Sequence, residues 1–99
     1  MARLVKAGTA EPPVKLQDIT SSNSRGSEGL FTVQSTSAVP SGETIQLQIS
    51  CDAGTTWSDL PTGILDENAD VVNVVVSTMA FIKADLSGAA TYSGTVNII

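Results

Sequence analysis

Ninety-nine residues with a net charge of −5, one cysteine (Cys51) and no histidine allow one domain, or one domain with a tail, and are too few for a barrel enzyme. The lack of histidine removes the commonest general base and metal ligand, and a lone cysteine closes no intrachain disulfide and builds no thiolate metal cage. Val, Ile and Thr number 10, 7 and 11 against only 5 Lys plus Arg, a β-branched bias that favours strands and disfavours a helical bundle.

No stretch approaches the roughly 20 apolar residues of a membrane helix. The first residues lack the apolar core of a secretory signal. The expectation is a β-rich domain with no membrane partner and no catalytic role. Charge is uneven along it. Residues 1–30 carry Arg3, Lys6, Lys15 and Arg25 against Glu11, Asp18 and Glu28, whereas residues 31–99 set Lys83 alone against seven acids. An acidic body repels phosphate backbones, so no nucleic-acid partner is expected. The basic leading segment reads as having a separate job.

In chain order, residues 1–13 hold the apolar spots Leu4-Val5 and Ala7 and end in Pro12-Pro13. A proline pair cannot donate ladder bonds and favours an extended course. It is expected to divide an extended arm (1–13) from the body (14–99). Val14 and Leu16 alternate with Lys15 and Gln17, a short strand with Lys15 as an edge guard. Residues 21–29 form a polar, glycine-containing loop. Leu30–Ser35 is a strand with Phe31 and Val33 on one face. Pro40-Ser41-Gly42 is turn chemistry. In Thr44–Ser50, Ile45, Leu47 and Ile49 alternate with polar residues, the period of a half-buried strand. Asp52-Ala53-Gly54 turns the chain, and Thr56–Leu60 begins the return arm of a hairpin. Pro61-Thr62-Gly63 is expected to break that strand. Val71–Val76, Met79–Leu86 and Thr95–Ile99 complete the set, with the last tucked inside a sheet. The sum is an all-β antiparallel sandwich, immunoglobulin-like or jelly-roll-like, of six to eight short strands. Its expected core is Val, Ile, Leu and Ala around Trp57 and Phe81.

One local motif is sharp. Ser50-Cys51-Asp52-Ala53-Gly54-Thr55-Thr56-Trp57 matches the Asp-box pattern S-x-D-x-G-x-T-W. Asp52 can accept from turn amides, Gly54 supplies a positive φ at no steric cost, Ser50 and Thr56 can satisfy neighbouring backbone, and Trp57 can cover the turn. Asp boxes pin hairpins in many unrelated folds. A sialidase-like catalytic role needs several boxes on a propeller and an arginine cluster, and this chain has one box and two arginines.

Asp66, Glu67 and Asp70 form an acidic turn that reads as solvated; it has neither the aromatic platform of a glycosidase nor EF-hand spacing. Cys51 beside Asp52 has no activating base. Neither a metal nor a cofactor is expected. The polar ladder Thr44, Gln46, Gln48 invites a carbohydrate-binding reading, but with Trp57 assigned to the core its aromatic platform is thin.

The run TIQLQISCDAGTTWSDL, then a Val-rich strand, then FIKADLSGA and YSGTVNII resembles small β-sandwich virion proteins of tailed bacteriophages. Those carry a hairpin of the type Q-x-S-x-D-G-T-x-W-x-D-L, a late strand like F-x-R-A-x-L-S-G and a closing G-T-V-x-V strand. The matching positions are Gln48, Ser50, Asp52, Gly54, Trp57, Asp59 and Leu60, then Phe81, Lys83, Ala84, Leu86, Ser87 and Gly88, then Gly94, Thr95 and Val96; Lys83 stands where arginine is usual. The resemblance covers about two thirds of the chain, and residues 1–30 lie outside it. It implies a capsid decoration (cement) protein on the outside of an assembled head, with the major capsid protein as partner and a homotrimer as the first guess for assembly. Arg3, Leu4, Val5, Lys6 and Lys15 are then expected to form the shell-contacting arm, ordering on docking. The alternative is a glycan- or host-surface-binding module of a tail or head fibre.

Overall fold

The computed structural model describes residues 2–19 and 28–99. Along them run β1 (Ala2–Lys6), β2 (Thr9–Ala10), β3 (Val14–Lys15), one turn of 3-10 helix (Leu16–Ile19), β4 (Glu28–Ser35), β5 (Thr44–Ser50), β6 (Ser58–Asp66), β7 (Val71–Ser77), β8 (Phe81–Asp85) and β9 (Val96–Ile98). They make an all-β sandwich of two antiparallel sheets. One has the order β2-β1-β9-β4-β7 and the other β3-β8-β5-β6. Nine strands among the described residues stand where six to eight were expected. Of the polar loop expected over 21–29, residues 21–27 lie outside the described residues, and Glu28-Gly29 open β4.

The chain changes sheet at almost every connection, and only the β1–β2 and β5–β6 pairs stay within one. Pro12-Pro13 marks one such change, carrying the chain from β2 to β3. The boundary expected there between arm and body is a crossing between layers. β1 lies inside the five-stranded sheet, flanked by β2 and β9. Arg3 pairs with Asn97 but Val5 pairs with Val96, so β1 carries one extra residue. That bulge turns two consecutive side chains, Leu4 and Val5, inward, and both are fully buried. Ordinary alternation would have sent one of them outward. The hairpin linking β1 to β2 turns at Ala7 (φ 49°) and Gly8 (φ 78°). Two consecutive positive φ angles are what a tight hairpin turn of this hand needs.

The core draws Phe31, Val33, Val74, Val76, Val96 and Ile98 from the five-stranded sheet and Ile45, Leu47, Leu65, Ile82 and Ala84 from the other. Leu16, Val39, Ala80, Ala89 and Tyr92 close the ends. Phe31 and Tyr92 hold the aromatic places. Trp57 and Phe81, expected at the centre, are only half-buried. On β8 the inward positions go to Ile82 and Ala84, which sends Phe81 to the opposite face of the pleat. Tyr92 keeps its polar end satisfied inside: its hydroxyl donates to the Thr95 carbonyl at 3.2 Å and lies 2.5 Å from Ser35 Oγ.

β6 does not stop at Pro61-Thr62-Gly63. It bulges there, since Gln46 faces Ile64 while Gln48 faces Asp59. The Gln46 carboxamide fills the gap, its Nε2 donating to the carbonyls of Leu60 (2.8 Å) and Leu47 (2.9 Å). β9 sits between β1 and β4, so the strand expected to be tucked inside a sheet is an interior one.

Candidate functional site

Two surfaces stand out, and one of them carries the Asp-box motif singled out in the sequence. The first is the β5–β6 hairpin tip. Ser50 is buried at the end of β5. Its Oγ donates to Asp52 Oδ1 (2.7 Å) and accepts from the Gly54 amide (2.9 Å). Asp52 Oδ1 also accepts from the Thr56 amide at 2.8 Å. Ala53 (φ 59°) and Gly54 (φ 91°) form the left-handed corner. These donors hold the ionised form of Asp52, and its pKa falls to about 2, with Ser50 the largest cause and Thr56 next. The carboxylate is thus committed to its own turn as a fixed acceptor. Ser50, Asp52, Gly54 and Thr56 meet as the Asp-box pattern requires.

Trp57 leaves this turn on the outer side of the four-stranded sheet. Lys83 Nζ lies 4.5 Å from the centroid of its ring. Lys83, Gln48 and Asp59 occupy one cross-strand row, on β8, β5 and β6 respectively, and Gln48 Nε2 donates to Asp59 Oδ1 at 2.8 Å. An open depression of about 280 Å³ beside the hairpin is lined by Ile49, Cys51, Asp52, Thr56 and Ser58. Cys51 there is a free, exposed thiol. In the acidic turn, Asp66 Oδ1 accepts from the Asn68 amide at 2.9 Å, and Asp66 and Ala69 exchange backbone bonds. Asp66 is therefore a turn-former. No group of three or more metal-ligating side chains is found among the described residues.

The second surface is the outer face of the five-stranded sheet. Leu30 (69% exposed) lies directly opposite Val75 (60%) across β4 and β7. Val71 (44%) faces Gln34 in the same ladder, and Ile99 (60%) exchanges backbone bonds with Thr32. Thr32, Asn73, Gln34 and Asn97 fill the positions between, with Thr32 Oγ1 donating to Asn73 Oδ1 at 2.7 Å. The β4, β7 and β9 rows of this face hold no charged side chain between Leu30 and Gln34 or between Val71 and Val75. A depression of about 100 Å³ lies among Thr32, Gln34, Asn97 and Ile99. Apolar surface gathered in this way marks a contact area more often than scattered exposed residues do.

The residues expected to form a shell-contacting arm are divided by the fold. Leu4 and Val5 are sealed in the core, so they cannot seat in a partner's groove. Arg3 and Lys6 are exposed on β1, and Lys15 is half-exposed on β3 in the other sheet. The outer apolar face was not singled out in the sequence. Its signal was the unbroken run Val71-Val72 and Val74-Val75-Val76, which fills both faces of one strand and so must expose one set.

Comparison with protein-family models, with curated proteins and with solved structures finds no match to this chain.

Proposed function

We propose that this chain is a structural module of a tailed-bacteriophage virion, a decoration protein that binds the outside of the assembled head and adds contact area between neighbouring capsid subunits. The observation that carries this reading is the outer face of the five-stranded sheet. Leu30, Val71, Val75 and Ile99 lie exposed there with only neutral polar residues interleaved. An apolar, neutral patch between Leu30 and Gln34 and between Val71 and Val75, with charge only at its margins in Glu28 and Arg3, is suited to being covered by another protein. The virion resemblance names the class of partner, the major capsid protein. In support, Lys83 of the late-strand motif lies over Trp57 and in one cross-strand row with Gln48 and Asp59 of the hairpin motif. In this reading the mechanism is purely associative, with many equivalent copies adding avidity, and Asp52 and Asp66 serve turns rather than chemistry.

Co-sedimentation of the purified protein with empty heads of the phage that encodes it tests this. Saturable pelleting with heads, weakened at least tenfold by Leu30→Glu in a variant that keeps its fold, is the expected result. Failure to pellet, or pelleting indifferent to Leu30→Glu, overturns it.

A second reading rests on one observation. Trp57 lies outside the core, on a sheet face with Gln48, Asp59 and Lys83, which restores the aromatic and polar elements a glycan-binding surface uses. Hits on a glycan array that vanish in Trp57→Ala would favour a host-surface module over decoration.

A further inference from the structure

Sheet edges need guarding against other chains. Of the four edges among the described residues, β2 and β3 are two residues long, and β3 carries Lys15. β6 is bulged and carries Pro61. The fourth, β7, has none of these devices. It is seven residues long, its register with β4 is unbroken from Glu28↔Ser77 to Gln34↔Val71, and Val71–Ser77 contains no charge and no proline.

The direction of its free backbone groups follows from the ladder. Thr32 and Ile99 exchange N–H···O bonds (2.9 and 3.0 Å), and the Thr36 amide donates to Thr95, so even-numbered residues of β4 turn their backbone groups toward β9. The Ser35 amide donates to Asp70 at 2.8 Å, so odd-numbered residues turn toward β7. Their register partners are the even-numbered residues of β7, such as Val72 and Val74. By the alternation of an antiparallel pair, Val71, Asn73 and Val75 present their N–H and C=O groups on the side where β7 has no strand neighbour among the described residues.

We infer that β7 is a dimerisation edge, pairing with β7 of a second copy of this chain about a twofold axis through Asn73. The sequence Val71-Val72-Asn73-Val74-Val75 reads the same in both directions, and antiparallel pairing inverts direction. An axis at Asn73 therefore sets Val71 against Val75 and Val72 against Val74 of the second copy, like against like on each face. A self-matching strand is what an isologous interface requires, and main-chain bonds supply its affinity. At the axis the two Asn73 side chains are neighbours. Each Oδ1 accepts from its own Thr32 and has a second lone pair, while each carboxamide NH₂ is placed to donate across the axis. Charge also favours this site. With a net charge of −5 two copies repel, but Asp70, the nearest acid in sequence, falls opposite Val76 of the second copy and not opposite its own counterpart. The product is a continuous ten-stranded sheet whose outer apolar faces adjoin. The symmetry is twofold, in place of the threefold expected from the sequence, and the inference stands whether or not the protein binds shells.

Sedimentation equilibrium of the full chain from micromolar to millimolar concentration tests it. A monomer–dimer equilibrium is expected, weakened at least tenfold by Asn73→Lys, which sets two ammonium groups across the axis at an exposed position while the circular dichroism spectrum stays unchanged. In a Cys51→Ser background, Asn73→Cys should oxidise to a disulfide-linked dimer, because directly bonded pairs sit about 5.5 Å apart, within disulfide reach. Val75→Cys should not, its copy lying roughly 13 Å along the strand. A monomer at every concentration, a dimer indifferent to Asn73→Lys, or equal cross-linking at both positions overturns the inference.

Discussion

Lys83 Nζ sits 4.5 Å from the centre of the Trp57 ring, joining the hairpin tip to a strand that follows it by more than twenty residues. The contact fixes the ring beside the sheet and holds β8 to the turn that precedes β6. A cation over a half-buried indole at the surface contributes about 0.5–1 kcal/mol. Lys83→Ala should lower unfolding free energy by about that much and shift the tryptophan emission to longer wavelength as the ring gains water. Lys83→Arg should leave both nearly as they are, since a guanidinium stacks at least as well. Urea titration read by tryptophan fluorescence checks all three values.

Asp52 ties stability to pH. Its carboxyl titrates at about 2 in the folded chain against 3.8 for an unperturbed one, so folding favours the ionised form. The contribution is fully present above pH about 4 and is lost as pH falls through 2. Asp52→Asn removes the charge from a turn whose Ser50 hydroxyl and Thr56 amide both donate to it. The variant should melt below wild type at pH 7, and the gap should close as pH falls from 4 to 2. Thermal denaturation across that range reads it directly; a gap independent of pH would mean that the charge on Asp52 is not what holds the turn.

The legibility of the chain follows its regularity. β5 was readable to the residue, because Ile45, Leu47 and Ile49 keep a strict period of two between polar neighbours. The Asp-box turn was readable because every bond that holds it is made within seven residues of sequence. β1 was not, because its bulge buries two adjacent side chains and erases the alternation that marks a strand. The continuation of β6 through Pro61-Thr62-Gly63 was hidden for a different reason. The carbonyls freed there are met by Gln46, 14 residues from Leu60, and no local pattern announces such a partner. The surfacing of Trp57 depends on which face of β8 points inward, a tertiary choice. Of the two candidate surfaces, the hairpin motif was visible in sequence, whereas the apolar face emerged only once β4 and β7 were known to pair.

Burial of β1 makes a sharp prediction about the leading segment. A free arm would tolerate Leu4→Ala. In this fold Leu4 is fully buried, and removing such a side chain costs about 2–5 kcal/mol. Arg3→Ala and Lys6→Ala, on exposed positions of the same strand, should stay within about 0.5 kcal/mol of wild type. Deleting residues 1–6 should abolish cooperative unfolding altogether, since it strips Leu4 and Val5 from the core and bares the β9 edge. Chemical denaturation of the three point variants and the deletion separates a sheet strand from a dispensable tail.

Gln46 is the residue on which the irregular part of β6 depends. Its Nε2 reaches the Leu60 carbonyl inside the bulge and the Leu47 carbonyl beside it. Gly63 is packed so closely there that a Cβ on it would lie 2.9 Å from those of Leu47 and Leu60. The strand therefore has no room to close the gap by shifting. Gln46→Leu preserves volume but leaves the Leu60 carbonyl without its donor, and an unsatisfied, partly buried carbonyl costs about 1–3 kcal/mol. Gln46→Glu replaces the donor with an acceptor facing two carbonyls and should be worse than Gln46→Leu at pH 7, recovering in part at pH 3 as the carboxyl regains a proton to donate. The order wild type, Gln46→Leu, Gln46→Glu in denaturant midpoint at neutral pH, with the last two drawing together in acid, is the outcome that assigns the bulge to this one carboxamide. Equal stability of all three would place the support of β6 elsewhere.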